Sequence, residues 1–390
     1  MRVLFVTPFP IAASATHGGG SYLGALLAAM REQVEVGLAC LGDTQPTAPD
    51  HSAGLWMARH PPRHGIAGRL ANLWRWRASP LVAAKAWNPE FARLLRTAVA
   101  TFRPDVACVE MAQMAQYLPF LHPVPTVLTD HEAGCPANVR TGLGTLGDAR
   151  DRRLWRNYVQ RCFPQADLLQ ALTDEDAAEL AARVGRPVLV RPPVVSLPHH
   201  AAEVAAAPPR ALFLGDFRHG PNPDAARRLV LEVLPALRRS VPDAELWLAG
   251  PNENLVRDLA SHPGVRVLGF VPDLPGLFAQ VRLLLAPLWS GRGFRVKAAT
   301  ALAHGVPVVT NALGARGLPA PAPAMQRAEE AAELAELAVA LLRSPTQARQ
   351  AGAAAFAWAR ERLAPAAVAA TQRQRLHELL LHRASAARPT

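Results

Sequence analysis

Only two of the chain's 42 Lys and Arg residues are lysines, and one of them, Lys297, stands two residues after Arg295. The surrounding segment, from Ser290, reads SGRGFRVKAATALAHGVPVVTN, with Gly291 and Gly293 ahead of the pair and Gly305 behind it. The spacing predicts a glycine turn, a helix over 294–304, a glycine stop and then a strand. Both cations then fall in the first helical turn, at the positive end of the dipole, where each is unfavourable by a few tenths of a kcal/mol. An anion held there by free backbone N–H groups and both side chains reverses that sign. The chemistry suggested is therefore phosphate or diphosphate binding; the alternative is two solvated cations after a turn.

Further candidates are scattered. His131 follows Asp130 and precedes Glu132 at the end of an apolar run, where its ring is able to hydrogen-bond a ligand or cap its own loop. Gly18, Gly19 and Gly20 form a loop whose backbone N–H groups are able to approach a ligand, or else a flexible surface turn. Asn222 after Pro221 is placed to contact a ligand or to open the helix that starts near Asp224. Glu110 ends a strand-like run, where it is able to reach the cleft but reads more simply as a surface carboxylate. Cys40, Cys108, Cys135 and Cys162 are widely separated, so they read as small hydrophobes of a reducing compartment, not as a metal site or disulfide framework. No metal site is expected.

Charge and composition narrow the function classes. A net charge of +11 draws anionic partners: nucleotides, nucleic acid or an acidic membrane face. No nucleic-acid module is recognisable, so a nucleic-acid binder is not expected. Half the residues are hydrophobic and 19% charged, as in ordinary globular chains. The opening MRVLFVTPFP is a buried strand, not a signal peptide, and no run reaches the roughly 18 apolar residues of a spanning helix. The expected location is the cytoplasm, either free in it or resting peripherally on the inner face of the membrane. Trp56, Trp74, Trp76 and Trp87 interleave with Arg63, Arg75, Arg77 and other arginines, and Arg140 to Arg161 form a second basic cluster. Together they suggest one aromatic, basic face or, more plainly, an irregular helical insertion and a solvated helix.

The elements that must position these residues alternate. Apolar runs at 2–6, 34–40, 105–109, 126–129 and 168–172 read as strands with helical patterns between them, which argues for a parallel sheet covered on both faces. The pattern restarts at 211–214 and continues at 245–248, 265–268, 282–286 and 306–309. A helical stripe over 224–240 contains Pro235, which is expected to end or kink it. The Ala/Pro-rich SLPHHAAEVAAAPPR, with His199 and His200, reads as a solvated linker. The expected organisation is a first domain over 1–195, a linker over 196–210, a second domain over 211–362, and a tail helix over 363–390 crossing back to the first. Each domain is α/β, doubly wound and Rossmann-like, and the two face a cleft.

At this point the chain resembles the GT-B glycosyltransferases, nearest to the large retaining family 4 (group 1). The resemblance is strongest over 211–318, in FLGDFRHGPNPDA, VPDAELWLAG, GVRVLGFVPDLPGLFAQVRLLLAPL and GRGFRVKAATALAHGVPVVTNALGARGL. HGGGSYL and PTVLTDHEAG carry it in the first domain. The resemblance implies transfer of a sugar from a nucleotide-diphosphate donor, such as a UDP- or GDP-sugar, to an acceptor hydroxyl with retention and without a metal. It places His131 near the transferred sugar, Arg295 and Lys297 on the diphosphate, and Gly18, Gly19, Gly20, Asn222, Gly291, Gly293 and Thr300 around the donor. Acceptors of this kind are glycans, lipid-linked sugars or small molecules, and an anionic membrane surface is a further expected partner. Thr300 stands where the family carries a Glu that contacts the ribose, and Arg292 where many members carry a second Glu; this departure also allows a non-catalytic relative that binds a nucleotide or glycan.

Overall fold

The computed structural model of the chain describes residues 1–11, 18–43, 53–60, 66–134, 141–291 and 293–386. His17, Arg63, Cys135, Arg140 and Arg292 lie outside the described residues. The chain divides into two compact units, Met1–Val194 with Pro365–Thr390, and Val195–Ala364.

The first unit runs β1 (Arg2–Thr7), α1 (Gly18–Arg31), β2 (Glu35–Leu41), β3 (Gly54–Ala58), α2 (Ile66–Arg75), α3 (Leu81–Ala86) and α4 (Pro89–Phe102). It continues with β4 (Val106–Glu110), β5 (Thr126–Asp130), α5 (Gly144–Cys162), β6 (Leu168–Ala171), α6 (Asp174–Val184) and β7 (Leu189–Val190). All its strands pair parallel, in the order β3-β2-β1-β4-β5-β6-β7. Strands buried on both faces need unbroken apolar runs, and the buried Val3–Val6 and Val106–Val109 supply them. Helices on one face bury a cluster around Leu95, Tyr117 and Trp155, and on the other a cluster around Leu23, Leu27 and Met30.

The second unit runs β8 (Arg210–Leu214), α7 (Pro221–Arg228), α8 (Leu234–Ser240), β9 (Glu245–Ala249), β10 (Val265–Gly269), α9 (Leu274–Phe278) and β11 (Leu283–Leu285). Then come α10 (Val296–Ala303), β12 (Val308–Thr310), β13 (Met325–Arg327), α11 (Ala331–Arg343) and α12 (Pro345–Arg362). Its sheet is also parallel, in the order β10-β9-β8-β11-β12-β13. The last helix, α13 (Pro365–Ala386), packs Val368, Ala369 and Leu376 into the core of the first unit. Its Gln372 exchanges hydrogen bonds with buried Gln170 of β6 at 2.9 and 3.2 Å.

Several elements differ from the sequence expectation, each for a local reason. Gly18, Gly19 and Gly20 are the first turn of α1, not a loop. Pro235 does not end its helix but coincides with a break in its regularity. Between α7 and α8 the chain makes a π turn over Leu229–Val233, and the Leu234 N–H bonds the Leu229 carbonyl, so the missing proline N–H is absorbed in a widened turn. The segment 196–210 is not a solvated linker throughout: Val204 and Ala207 are buried, with Val204 in a core of the second unit. The tryptophan segment is ordered packing more than an amphipathic face. Trp56 lies in β3 against Phe102, Trp76 is buried and donates to Asp151 at 2.7 Å, and Trp87 stacks on Tyr117. Trp74 remains 70% exposed, with Leu70 and Leu73 beside it on α2 and Val82 on α3.

Glycines mark the ends of the second sheet's strands. A Cβ on Gly250, just after β9, would stand 2.0 Å from the Gly215 carbonyl, and Gly250 has φ +141°. We expect Gly250→Ala to lower stability by about 2 kcal/mol or more. Gly185→Ala, left-handed but with nothing within 4 Å, should cost only about 1 kcal/mol. Equal denaturant midpoints for the two variants would contradict this.

Candidate functional sites at the strand ends

In a parallel doubly wound sheet, the strand order reverses at one point, where the flanking crossovers depart to opposite faces and leave a crevice at the carboxyl ends. Here that point lies between β1 and β4 in the first unit and between β8 and β11 in the second. The candidate residues gather near these two places.

In the second unit the turn after β11 carries Gly291 at φ +107° and Gly293 at φ +81°, backbone that only glycine adopts readily. It leads into α10, so the expected turn and helix are both present, with Arg295 in the N-cap position and Gly305, at φ +74°, just past the end. The two cations have different fates. The Arg295 guanidinium is buried and ties the turn together, its Nε donating to the Leu313 carbonyl at 2.8 Å and an Nη to that of Gly291 at 3.3 Å. Lys297 points to the end of β8: its Nζ donates to Asn222 Oδ1 at 2.8 Å and lies 4.1 Å from the Phe213 ring centroid. Among the described residues no carboxylate pairs with it. Burial first, and the Arg295 charge second, push its pKa down from the usual 10.5 to about 7.

Asn222 proves to be a bridge. Its Nδ2 donates to the Asp216 carbonyl at 2.8 Å while its Oδ1 holds Lys297, so it neither caps α7 nor stands free. Gly215 makes the approach possible, because a Cβ there would lie 2.7 Å from the Asn222 amide. Thr300, one turn along α10, donates its hydroxyl to the Val296 carbonyl at 2.9 Å, so its proton is spent inside the helix. Asn311 adds a further lock that sequence reasoning did not single out: buried after β12, it accepts from the Leu288 and Gly314 N–H groups and donates to the Leu288 carbonyl.

In the first unit the expected His131 lies just past β5, with its side chain 12% exposed. Its Nε2 is 3.1 Å from Glu110 Oε2 and 3.2 Å from the Tyr22 hydroxyl. Glu110, read from sequence as a surface carboxylate, is completely buried. Arg191, just past β7, clamps both its oxygens at 2.7 Å and donates to the Tyr22 hydroxyl at 2.7 Å. Burial alone pushes the Glu110 carboxyl up, but the Arg191 charge and the His131 and Arg191 hydrogen bonds outweigh it and hold it below the usual range. Asp130 serves the turn instead: it accepts from the His131 N–H at 2.9 Å and from the Gly134 N–H. Burial pushes its carboxyl up to about 6. Gly18, Gly19 and Gly20 open α1, whose first-turn N–H groups have no intrahelical acceptors.

No curated protein matches the chain by sequence. Residues 208–344 match the family model described as glycosyl transferases group 1. Among solved structures the chain is similar to sucrose-phosphate synthase from Thermosynechococcus elongatus, at 18% identity and a TM-score of 0.67 over 98% of this chain and 100% of that one. It is similar to the UDP-forming α,α-trehalose-phosphate synthase of Burkholderia vietnamiensis, at 13% identity and a TM-score of 0.64, over 97% and 100% of the two chains. HepE from Anabaena, solved in complex with UDP and glucose, is 16% identical with a TM-score of 0.61 over 97% and 99%. The chain therefore has the GT-B fold, two Rossmann-like parallel-sheet units in tandem, and over residues 208–344 it matches the group 1 glycosyl transferases.

Proposed function

We propose that the protein is a glycosyltransferase that moves a sugar from a nucleotide-diphosphate donor to an acceptor hydroxyl with retention of configuration. The observation that carries this reading is Lys297: a partly buried ammonium at a strand-end crevice, facing a neutral amide and a ring, with no carboxylate partner among the described residues. An ammonium has three donors and Asn222 takes one, which leaves two for the diphosphate oxygens. The glycine turn at Gly291 and Gly293 and the start of α10 add backbone N–H groups. Arg295 contributes charge and shapes the turn.

The chemistry needs little more. The bond between the anomeric carbon and the diphosphate oxygen breaks, the acceptor oxygen bonds that carbon on the same face, and the acceptor proton passes to the leaving phosphate. Stabilising the charge that develops on the leaving group lowers the barrier of such a reaction more than anything else, and fixed N–H groups and Lys297 do this. We propose that no metal takes part, since these groups already provide the countercharge. His131 meets the transferred sugar, and Gly18 to Gly20 bring the α1 N–H groups to the donor. A second reading, a nucleotide- or glycan-binding module without turnover, is favoured by Thr300, whose hydroxyl proton is bonded within its helix where a ribose-binding carboxylate would stand. Assay against UDP- and GDP-sugars separates the two: turnover with an α product from an α-linked donor, unaffected by EDTA, is expected. Binding without turnover across a broad acceptor panel supports the module.

Binding should carry the signature of Lys297. A diphosphate favours the charged ammonium, whose population in the free protein falls as pH rises through about 7. The affinity for UDP-glucose, whose diphosphate diester keeps its charge, should be flat below that pH and fall above it by up to about tenfold per unit. Lys297→Met should weaken binding about 10–100-fold and abolish the dependence. A flat calorimetric profile from pH 6 to 9 in the unaltered protein would return Lys297 to a structural role.

For the acceptor we favour a lipid-linked or cell-envelope glycan met at the cytoplasmic membrane face. No helix among the described residues is long and apolar enough to cross a membrane. Support comes from Leu70, Leu73 and Trp74, exposed together on α2 beside a cavity of about 370 Å³ lined in part by Arg75, Arg77 and Trp87. Arg150 lies over the Trp76 ring and Arg161 reaches the Ala78 carbonyl, so basic residues of α5 flank the same patch. Each basic residue adds about 1 kcal/mol near an anionic bilayer. Sedimentation with anionic vesicles at low salt, lost with Trp74→Ser and Arg77→Ser, is expected; equal, negligible binding to anionic and neutral vesicles would favour a soluble acceptor.

A further inference from the structure

Inside the first unit, four side chains from four elements meet below the surface. Glu110 ends β4, His131 follows β5, Arg191 follows β7 and Tyr22 comes from α1. The Glu110–Arg191 pair is bidentate and fully buried, and the Arg191 Nε has no hydrogen-bond partner. A buried pair of this kind is weak as a stabilising device, because desolvating both charges offsets most of their attraction. Well-packed apolar side chains would serve the core as well. What the pair does locally is fix a charge next to an imidazole at the carboxyl edge of the sheet.

The consequence for His131 follows from donor and acceptor inventory. Glu110 is held ionised by Arg191, and an ionised carboxylate only accepts hydrogen bonds. The ring nitrogen that faces it, Nε2, must therefore carry the proton. The Tyr22 oxygen, which accepts from Arg191, is a second acceptor for the same N–H at 3.2 Å. In the neutral ring Nδ1 is then the lone-pair nitrogen, and among the described residues it has no hydrogen-bond partner. The ring is also clamped in orientation, since two of its neighbours are themselves fixed by Arg191.

We propose that Glu110, locked by Arg191, is a positioning residue that fixes His131 as the Nε2–H tautomer and presents Nδ1 as the acceptor for a hydroxyl of the transferred sugar. The inference rests on the glycosyl-transfer reading for its substrate, but not for the tautomer, which is a property of the free protein. An imidazole oriented this way accepts one O–H with defined direction, and it discriminates against a sugar lacking that hydroxyl, because Nδ1 would then be buried without a partner.

The test has two arms. In the first, ¹⁵N-histidine-labelled protein is examined by NMR at a pH where the ring is neutral, with the His131 signals assigned by their loss in His131→Gln. A pyrrole-type Nε2 and a pyridine-type Nδ1 are expected, shifting to a mixture in Glu110→Gln. Should Glu110→Gln fail to fold because Arg191 is left unpaired, the double variant Glu110→Gln, Arg191→Gln removes both charges and carries the same expectation. In the second arm, Glu110→Gln should lower kcat about 10–100-fold, the size of effect known for loss of a carboxylate that orients a metal-bound histidine, with the donor KM changed less than twofold. An Nδ1–H tautomer in the unaltered protein, or a tautomer unchanged by loss of Glu110, overturns the positioning role whatever the activity. The expected tautomer with no turnover on any nucleotide sugar overturns the assigned substrate and leaves the positioning intact.

Discussion

Parallel pairing is the constraint on which the rest depends. Each strand must be reached by a crossover, so each unit is covered by helices on both faces and its polar chemistry is displaced to the strand ends. Where the order reverses, adjacent crossovers leave on opposite faces and no helix closes the gap. In the second unit this sets Asn222 after β8 beside Lys297 after β11, 75 residues apart in sequence and 2.8 Å apart in space. In the first unit it sets α1, with Tyr22, after β1 and Glu110 at the end of β4.

The two strand-end clusters solve opposite electrostatic problems. In the first unit, charge is balanced internally: Glu110 and Arg191 neutralise each other, and the pair imposes direction on a ring without adding net charge. In the second, charge is left unbalanced. Lys297 is surrounded by groups that tolerate an ammonium without neutralising it, and Arg295 raises the local positive potential while its donors are bound to carbonyls. Desolvation and like charge both work against the protonated lysine, so the free site is strained electrostatically and an incoming anion relieves it.

Much of this was legible in the sequence. Apolar runs long enough to be buried on both faces announced the main strands, and the Gly291–Gly305 segment announced its turn, helix and stop because backbone geometry there demands glycine. The strands β3, β7 and β13 were not read from the sequence; each lies at the edge of its sheet and is only partly buried, so none needs the unbroken apolar run that marks the central strands. Pro235 was legible as an irregularity in its helix, but the form it takes, a π turn just ahead of the proline, was not. Glu110 was misjudged. A carboxylate closing the run VACVE reads as the first exposed residue after a strand, and its partner lies 81 residues away at the end of another. The available signal was Arg191 itself, a single arginine just after the short apolar stretch VLV, but nothing in the sequence brings the two strand ends together.

Partner identity also decides how the arginine-rich composition should be understood. Among the described residues most of the cations sit on the surface, where they change solubility and attraction to anions but not the fold. Arg191 and Arg295 are exceptions of two kinds. Arg191 is completely buried and needs the rigid fork of a guanidinium to hold two carboxylate oxygens and a phenol at once. Arg295 uses the same fork to join two stretches of backbone across the glycine turn, a task a lysine ammonium performs poorly. Lys297, by contrast, sits where a compact charge with rotatable donors is wanted, over a ring and against one amide oxygen. In a chain with only one other lysine, Lys85, this lysine occurs at a place where a titratable point charge is physically different from a fork that never loses its proton.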